Sequence, residues 1–209
     1  MKKIIFFGDS ITDMGRNRED DSSFGVGYPS VIVKKMADYY PSKYLLLNRG
    51  ISGDRIVDLY ARIKRDVWNE NPDYLFILIG VNDVWHEIDA KNGVDIRRFE
   101  KVYRMLIEDT LNVLNYVKIV LFEPFVLYGE ATKEHFDKFL EVKDYAKVVR
   151  KIAKDYNLSF IPLQDRLDEG VNNLGIEKVA RDGVHPDYEG ATIIADAFME
   201  YFYKEIEKK

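Results

Sequence analysis

The sequence contains no cysteine. That excludes disulfides, thiolate metal sites and a cysteine nucleophile, and it suits a reducing compartment. Long apolar runs are missing too. Met1-Lys2-Lys3 has the charge of a signal-peptide start, but the apolar run behind it ends at Phe7, short of the roughly 7–15 residues such a signal needs. No stretch approaches the roughly 18 apolar residues of a bilayer span. The expectation is a mature chain that starts near Met1, in the cytoplasm, with no membrane partner. Nor is there a basic excess: 31 Lys and Arg stand against 36 Asp and Glu, for a net charge of −5. With a pI near 5.4 and no basic stripe, nucleic acid is not an expected partner. Internal repeats, low-complexity tracts and Pro/Ser-rich linkers are absent, so residues 1–209 are expected as one domain.

What is present is a core. Hydrophobic residues make up 46% of the chain, and short apolar runs bounded by turn residues recur, each followed by helical spacing. Strands are expected at residues 3–7, 44–47, 74–79, 118–122 and 158–161. Helices are expected at 31–39, at 56–68, within 96–114, over much of 136–156, and from about 189 to 206. Ile56, Leu59, Ile63 and Val67 share one helical face. The run at 74–79 is apolar throughout, as befits a strand covered on both faces. This alternation predicts an α/β fold with a parallel sheet and helices on both sides, because each parallel crossover needs a dozen or more residues. The longest polar loop, 15–27, suits a solvated surface and a substrate-facing role equally.

Ligands of an open parallel sheet bind beyond the carboxyl ends of its strands. Strand one delivers Gly8-Asp9-Ser10 there, strand two Asn48 to Gly53, strand three Gly80-Val81-Asn82-Asp83, and strand four Pro124-Phe125. The loop before the last helix adds Asp182-Gly183-Val184-His185-Pro186. These residue types suit acyl transfer. A serine hydroxyl needs an imidazole to take its proton, and the imidazole needs a carboxylate to fix its tautomer. The oxyanion of the tetrahedral intermediate needs preorganised donors. The Ser10 N–H, the Gly53 N–H and the Asn82 side-chain amide are candidates, and Gly53 has no Cβ to block a substrate. Of the other histidines, His135 sits in a charged stretch and is expected to face solvent. His86 is a candidate for substrate contact or for a plain surface position. Asp9 and Asp13 read as local caps of the turn after strand one. Trp85, Tyr28, Phe125 and Tyr128 are candidates to stack on sugar rings, and equally for burial or a subunit contact.

Gly8 to Asp13, Asn48 to Gly53, Gly80 to Asp83 and Asp182 to Pro186 resemble, in order, the blocks of the SGNH (GDSL-like) hydrolase family. The residues that name that family fall on Ser10, Gly53, Asn82 and His185. The resemblance implies a three-layer α/β/α sandwich of flavodoxin-like type, with a five-stranded parallel sheet in the order 2-1-3-4-5. It implies catalysis with no metal and no cofactor, with Ser10 as nucleophile, His185 as base and Asp182 orienting it. Gly50 to Gly53, Ala61-Arg62, Pro72-Asp73 and Gly80 to Trp85 are further similar to intracellular bacterial acetylxylan esterases. Asp54 and Gly183 sit at variable places in the blocks. The expected substrate is an acetylated xylo-oligosaccharide or another short ester, since no long apolar insertion is there to cover a long acyl chain. The alternative on the same machinery is a lysophospholipase or acyl thioesterase. A magnesium phosphohydrolase is disfavoured because Ser10-Ile11 stands where such enzymes carry an Asp-x-Asp arrangement. A non-catalytic sugar-binding module is disfavoured because every catalytic position is filled. With 13% aromatic residues, a homo-oligomer remains among the expectations.

Overall fold

The apolar runs form five strands: β1 (Lys2–Gly8), β2 (Tyr44–Gly50), β3 (Tyr74–Leu78), β4 (Lys118–Phe122) and β5 (Ser159–Ile161). They pair in parallel in the order β2-β1-β3-β4-β5 in this computed structural model, which describes residues 1–208. The flavodoxin-like order is therefore the one present. The register sets Gly8 opposite both Gly50 and Leu78. The segments that follow β1, β2 and β3 thus leave the sheet side by side, which is what gathers distant sequence blocks at one edge.

The helices, in chain order, are α1 (Ser10–Asp13), α2 (Tyr28–Tyr39), α3 (Ile56–Ile63), α4 (Val81–Ala90), α5 (Ile96–Val113), α6 (Phe136–Phe139), α7 (Val142–Asp155), α8 (Gln164–Leu174), α9 (Ile176–Val179) and α10 (Tyr188–Phe202). Helices α2 and α10 pack together in one layer, and α3, α5 and α7 in the other. Strand alternation supplies a greasy surface to each. Phe6 meets Tyr28 of α2 and Phe198 of α10 edge-on, at 5.7 and 5.6 Å between centroids. Its neighbour Phe7 carries the Arg62 guanidinium of α3 at 4.4 Å. Among the described residues no helix is long and apolar enough to cross a membrane.

The structure differs from the sequence expectations in several places. Strand β2 runs on to Gly50, because Asn48 has buried partners: its amide donates to the Thr12 carbonyl at 2.7 Å. Helix α4 begins straight after β3, so Asn82 lies in a first helical turn and not on a loop. Its Asn, Asp and β-branched residues have weak helix propensity, which hid it. Helix α8 was also hidden, by Gly170, Asn172 and Asn173. Its N-terminal amides, those of Leu163 and Gln164, donate to the Glu123 carboxylate at 2.7 and 3.0 Å. The single helix expected over 136–156 is broken at Leu140-Glu141 into α6 and α7.

Candidate active site

Ser10 is the first residue of α1, immediately beyond β1. Asp9 caps that turn, its Oδ1 accepting the Ile11 N–H at 2.9 Å. The Ser10 N–H belongs to the helix-start donors that have no intrahelical acceptor. The Ser10 Oγ lies 2.8 Å from Nε2 of His185, and Nδ1 of His185 lies 2.6 Å from Oδ2 of Asp182. The other Asp182 oxygen accepts the backbone N–H groups of Val184 and His185, at 2.9 and 2.8 Å. A spacing of three residues thus lets one carboxylate hold both the ring and the backbone of the histidine.

A brace behind this loop was not legible in the sequence. The N–H groups of Leu127, Glu130 and Ala131 donate to the carbonyls of Gly183, Arg181 and Asp182, at 2.8, 3.0 and 3.0 Å. Gly129 makes the approach possible: a Cβ there would stand 2.2 Å from the Gly183 nitrogen. Buried Thr132 closes the brace, its Oγ1 donating to the Leu127 carbonyl at 2.7 Å and accepting the Gly129 N–H at 2.9 Å.

The hydrogen bond to Asp182 raises the His185 pKa above its ordinary value; burial opposes it, and the Asp182 and Asp9 charges add to it. Burial pushes Asp182 up, but the His185 ring and the two backbone N–H groups outweigh that and hold it below the usual carboxylate range. Asp9 behaves differently. Burial drives its carboxyl up to about 7, against the Ile11 N–H and the His185 charge. Its Oδ2 is buried with no hydrogen-bond partner, a costly state for an anion.

Gly53 lies on the loop after β2 with φ of +86°. A Cβ there would meet nothing within 4 Å, so within the protein the backbone conformation, and not crowding, calls for glycine. On one side of it, the Ser52 N–H and Oγ donate to Asp13 Oδ2 at 3.0 and 3.2 Å. Asp13 is in turn paired with Arg18 at 2.6 Å. Asn82 is buried, and its side-chain amide donates one hydrogen to the Asp54 carbonyl at 3.0 Å, leaving a second.

The aromatic candidates divide. Trp85 is half-buried, with its ring 6.1 Å from that of His185 and 5.7 Å from that of Phe139. His86 is half-buried next to it on α4, and Tyr128 is exposed against Phe136. Tyr28 and Phe125 are corrections: both are 0% exposed. Tyr28 belongs to the core beside Phe6 and Phe122, its hydroxyl engaged with Thr12 Oγ1 at 3.0 Å. His135, expected to face solvent, is half-buried in the turn before α6. A cavity of about 740 Å³ opens elsewhere, lined by Asp83, Glu87, Ile88 and Tyr145 among others but by none of Ser10, Asp182 and His185.

A parallel α/β sheet with a serine, an imidazole and a carboxylate in line at its carboxyl edge defines a hydrolase class. The chain belongs to the GDSL-like lipase/acylhydrolase family, which it matches over residues 6–193. It is a carboxylic ester hydrolase. It is 35% identical over 207 residues to an acetylxylan esterase of Geobacillus stearothermophilus, covering 95% of this chain and 92% of that one. A Parabacteroides merdae protein assigned as a GDSL-like lipase superposes with a TM-score of 0.89 at 34% identity, covering 95% and 94% of the two chains. Axe2, an acetylxylan esterase from Geobacillus stearothermophilus, gives 0.84 at 32% identity, covering 95% and 93%. Catalytic mutants of Axe2 have been solved with a serine, an aspartate and a histidine each replaced by alanine, the last two being three residues apart.

Proposed function

We propose that this protein removes acetyl groups from xylo-oligosaccharides or related acetylated sugars through an acyl-enzyme on Ser10. The observation that carries the reading is the line from Ser10 Oγ to His185 Nε2 at 2.8 Å and from His185 Nδ1 to Asp182 at 2.6 Å. The same spacing of aspartate and histidine in the catalytic mutants of Axe2 supports it.

Ser10 attacks the acetyl carbonyl while its proton passes to Nε2 of His185. The negative charge that develops on the carbonyl oxygen is met by the Ser10 N–H, the Gly53 N–H and the free hydrogen of the Asn82 amide. Collapse breaks the ester bond. The sugar oxygen leaves with the proton from His185, and acetyl remains on Ser10. Water then loses its proton to His185 and attacks the acyl-enzyme, releasing acetate and restoring Ser10. Asp182 stays ionised and keeps Nδ1 protonated throughout. Trp85, half-buried beside His185, offers a flat apolar face for the sugar of the leaving group.

The test is a panel of p-nitrophenyl esters and acetylated xylo-oligosaccharides, assayed on wild type and Ser10→Ala. Acetyl esters should be turned over fastest, with rates fading beyond butyrate and Ser10→Ala near background. A preference for long acyl chains or acyl thioesters would transfer the assignment to a lysophospholipase or thioesterase. Stoichiometric labelling by a sulfonyl fluoride at another residue would sink the nucleophile.

A further inference from the structure

Arg62 has a side chain only 9% exposed, yet four of its N–H donors are placed. Nε reaches Asp54 Oδ2 at 2.6 Å, and Nη1 reaches Asp66 Oδ2 at 2.6 Å and the Arg49 carbonyl at 2.9 Å. Nη2 reaches the Gly8 carbonyl at 2.9 Å, and the guanidinium plane lies over Phe7. These acceptors are not scattered. Gly8 lies two residues before Ser10, and its carbonyl also accepts the Ile51 N–H of the Gly53 loop at 3.1 Å. Arg49 is the penultimate residue of β2, just before that loop, and Asp54 is the residue after Gly53. The Asp54 carbonyl is in turn what holds the Asn82 amide.

A Cβ on Gly53 would meet nothing within 4 Å and glycine backbone is soft; the turn around it is closed by the Asp54 N–H, which donates to the Ile51 carbonyl at 3.2 Å. The Gly53 peptide is therefore aimed by its neighbours. Ser52 is tied to the Asp13–Arg18 pair and Asp54 to the Arg62–Asp66 network. A planar fork with fixed donor directions can span two strand ends and a loop at once, whereas a lysine ammonium cannot. Burying a guanidinium and two carboxylates is costly unless all are paired, and here Arg62 pairs with both Asp54 and Asp66.

We propose that Arg62 and Asp54 are positioning residues: together they set the Gly53 peptide and the Asn82 amide at the distance the oxyanion requires. The proposal rests on the serine-esterase reading above. Neither residue touches the substrate. Their effect passes through the two donors, and displacements of about 1 Å in such groups cost up to ~10²-fold in rate.

The experiment measures kcat, KM and Tm on the full chain with p-nitrophenyl acetate, for Asp54→Ala, Asp54→Asn, Arg62→Lys, Asn82→Ala and the Asp54→Ala/Asn82→Ala double variant. Asp54→Ala should lower kcat by about 10- to 100-fold with KM within about twofold. Asp54→Asn keeps an oxygen for Arg62 Nε and should recover most of kcat. With Asn82→Ala in place, Asp54→Ala should cost less than it does alone, by the share that passes through the Asn82 amide, because residues that act as a unit are not additive. Arg62→Lys should behave like Asp54→Ala; if it does not fold, the Asp54 series decides alone. A role in stability only would lower Tm and leave kcat of the folded protein alone, and that result overturns the proposal, as does full additivity with Asn82→Ala. Failure of the underlying reading looks different: Ser10→Ala would stay active, or Asn82→Ala would keep wild-type kcat.

Discussion

Ser10 Oγ and His185 Nε2 stand 2.8 Å apart although 175 positions separate the two residues. The imidazole must be neutral to accept the serine proton, so kcat/KM should rise with pH as His185 deprotonates. Asp182 raises the His185 pKa, which puts the inflection above the ordinary value of about 6.5. Asp182→Asn removes the main raising contact, so the inflection should move to lower pH. Activity should also fall steeply, by ~10⁴ where the same change has been made in a Ser-His-Asp site. A pH–rate profile whose inflection does not move in Asp182→Asn would detach that inflection from the pair.

Asn82 has one amide hydrogen engaged by the Asp54 carbonyl, and the proposed function gives the other to the oxyanion. Asn82→Ala should therefore lower kcat by ~10²–10³ and leave KM nearly unchanged. Asn82→Asp should be as damaging or worse, since it places a carboxylate beside the oxyanion. Steady-state kinetics on folded variants decide this. A kcat within about threefold of wild type would remove Asn82 from the site.

Gly53→Ala separates conformation from crowding. The added methyl meets no protein atom, but φ of +86° is strained for an L-residue, at about 1–2 kcal/mol. The loop should relax and turn its N–H away. Lower kcat is expected with acetyl esters as much as with bulkier ones. An effect confined to bulky substrates would instead indicate a clash with the substrate.

Asp9 predicts a pH dependence of stability. Its folded pKa of about 7 lies above the ordinary carboxylate value, about 3.9 in an unfolded chain. Between those values the folded protein keeps a proton that the unfolded chain has lost, so this group's contribution to stability falls as pH rises from about 4 to about 7. Asp9→Asn cannot ionise. Its Tm should exceed that of wild type most at pH 8, with the difference shrinking towards pH 4. A difference that is constant across that range, read by calorimetry or circular dichroism, would show that Asp9 is not the titrating group.

Much of this was legible along the chain because the signals are local. An apolar run such as Tyr74 to Ile79 reads as a strand because a buried strand needs apolar residues on both faces. Asp182 and His185 read as a pair because the stretch from Asp182 to Pro186 resembles the last block of the SGNH hydrolases. Helices α4 and α8 escaped, since Val81-Asn82-Asp83-Val84 and Gly170 to Asn173 have poor intrinsic helix propensity and are held by tertiary contacts such as the Glu123 cap.

By itself, then, the sequence determined the α/β class, the order of the blocks and the residue types that meet at the sheet edge. Only the tertiary structure decided which aromatics remain accessible. Tyr28 and Trp85 are indistinguishable as letters near a site, but one packs against Phe6 and Phe122 and the other lies beside His185. The same holds for Arg62, which the sequence marks through the Ala61-Arg62 resemblance without giving it a role. Its acceptors at Gly8, Arg49 and Asp54 come together only when β1 and β2 pair in register and α3 folds back over Phe7. Burial and hydrogen-bond partners are properties of packing between segments far apart in the chain, and no local pattern encodes them.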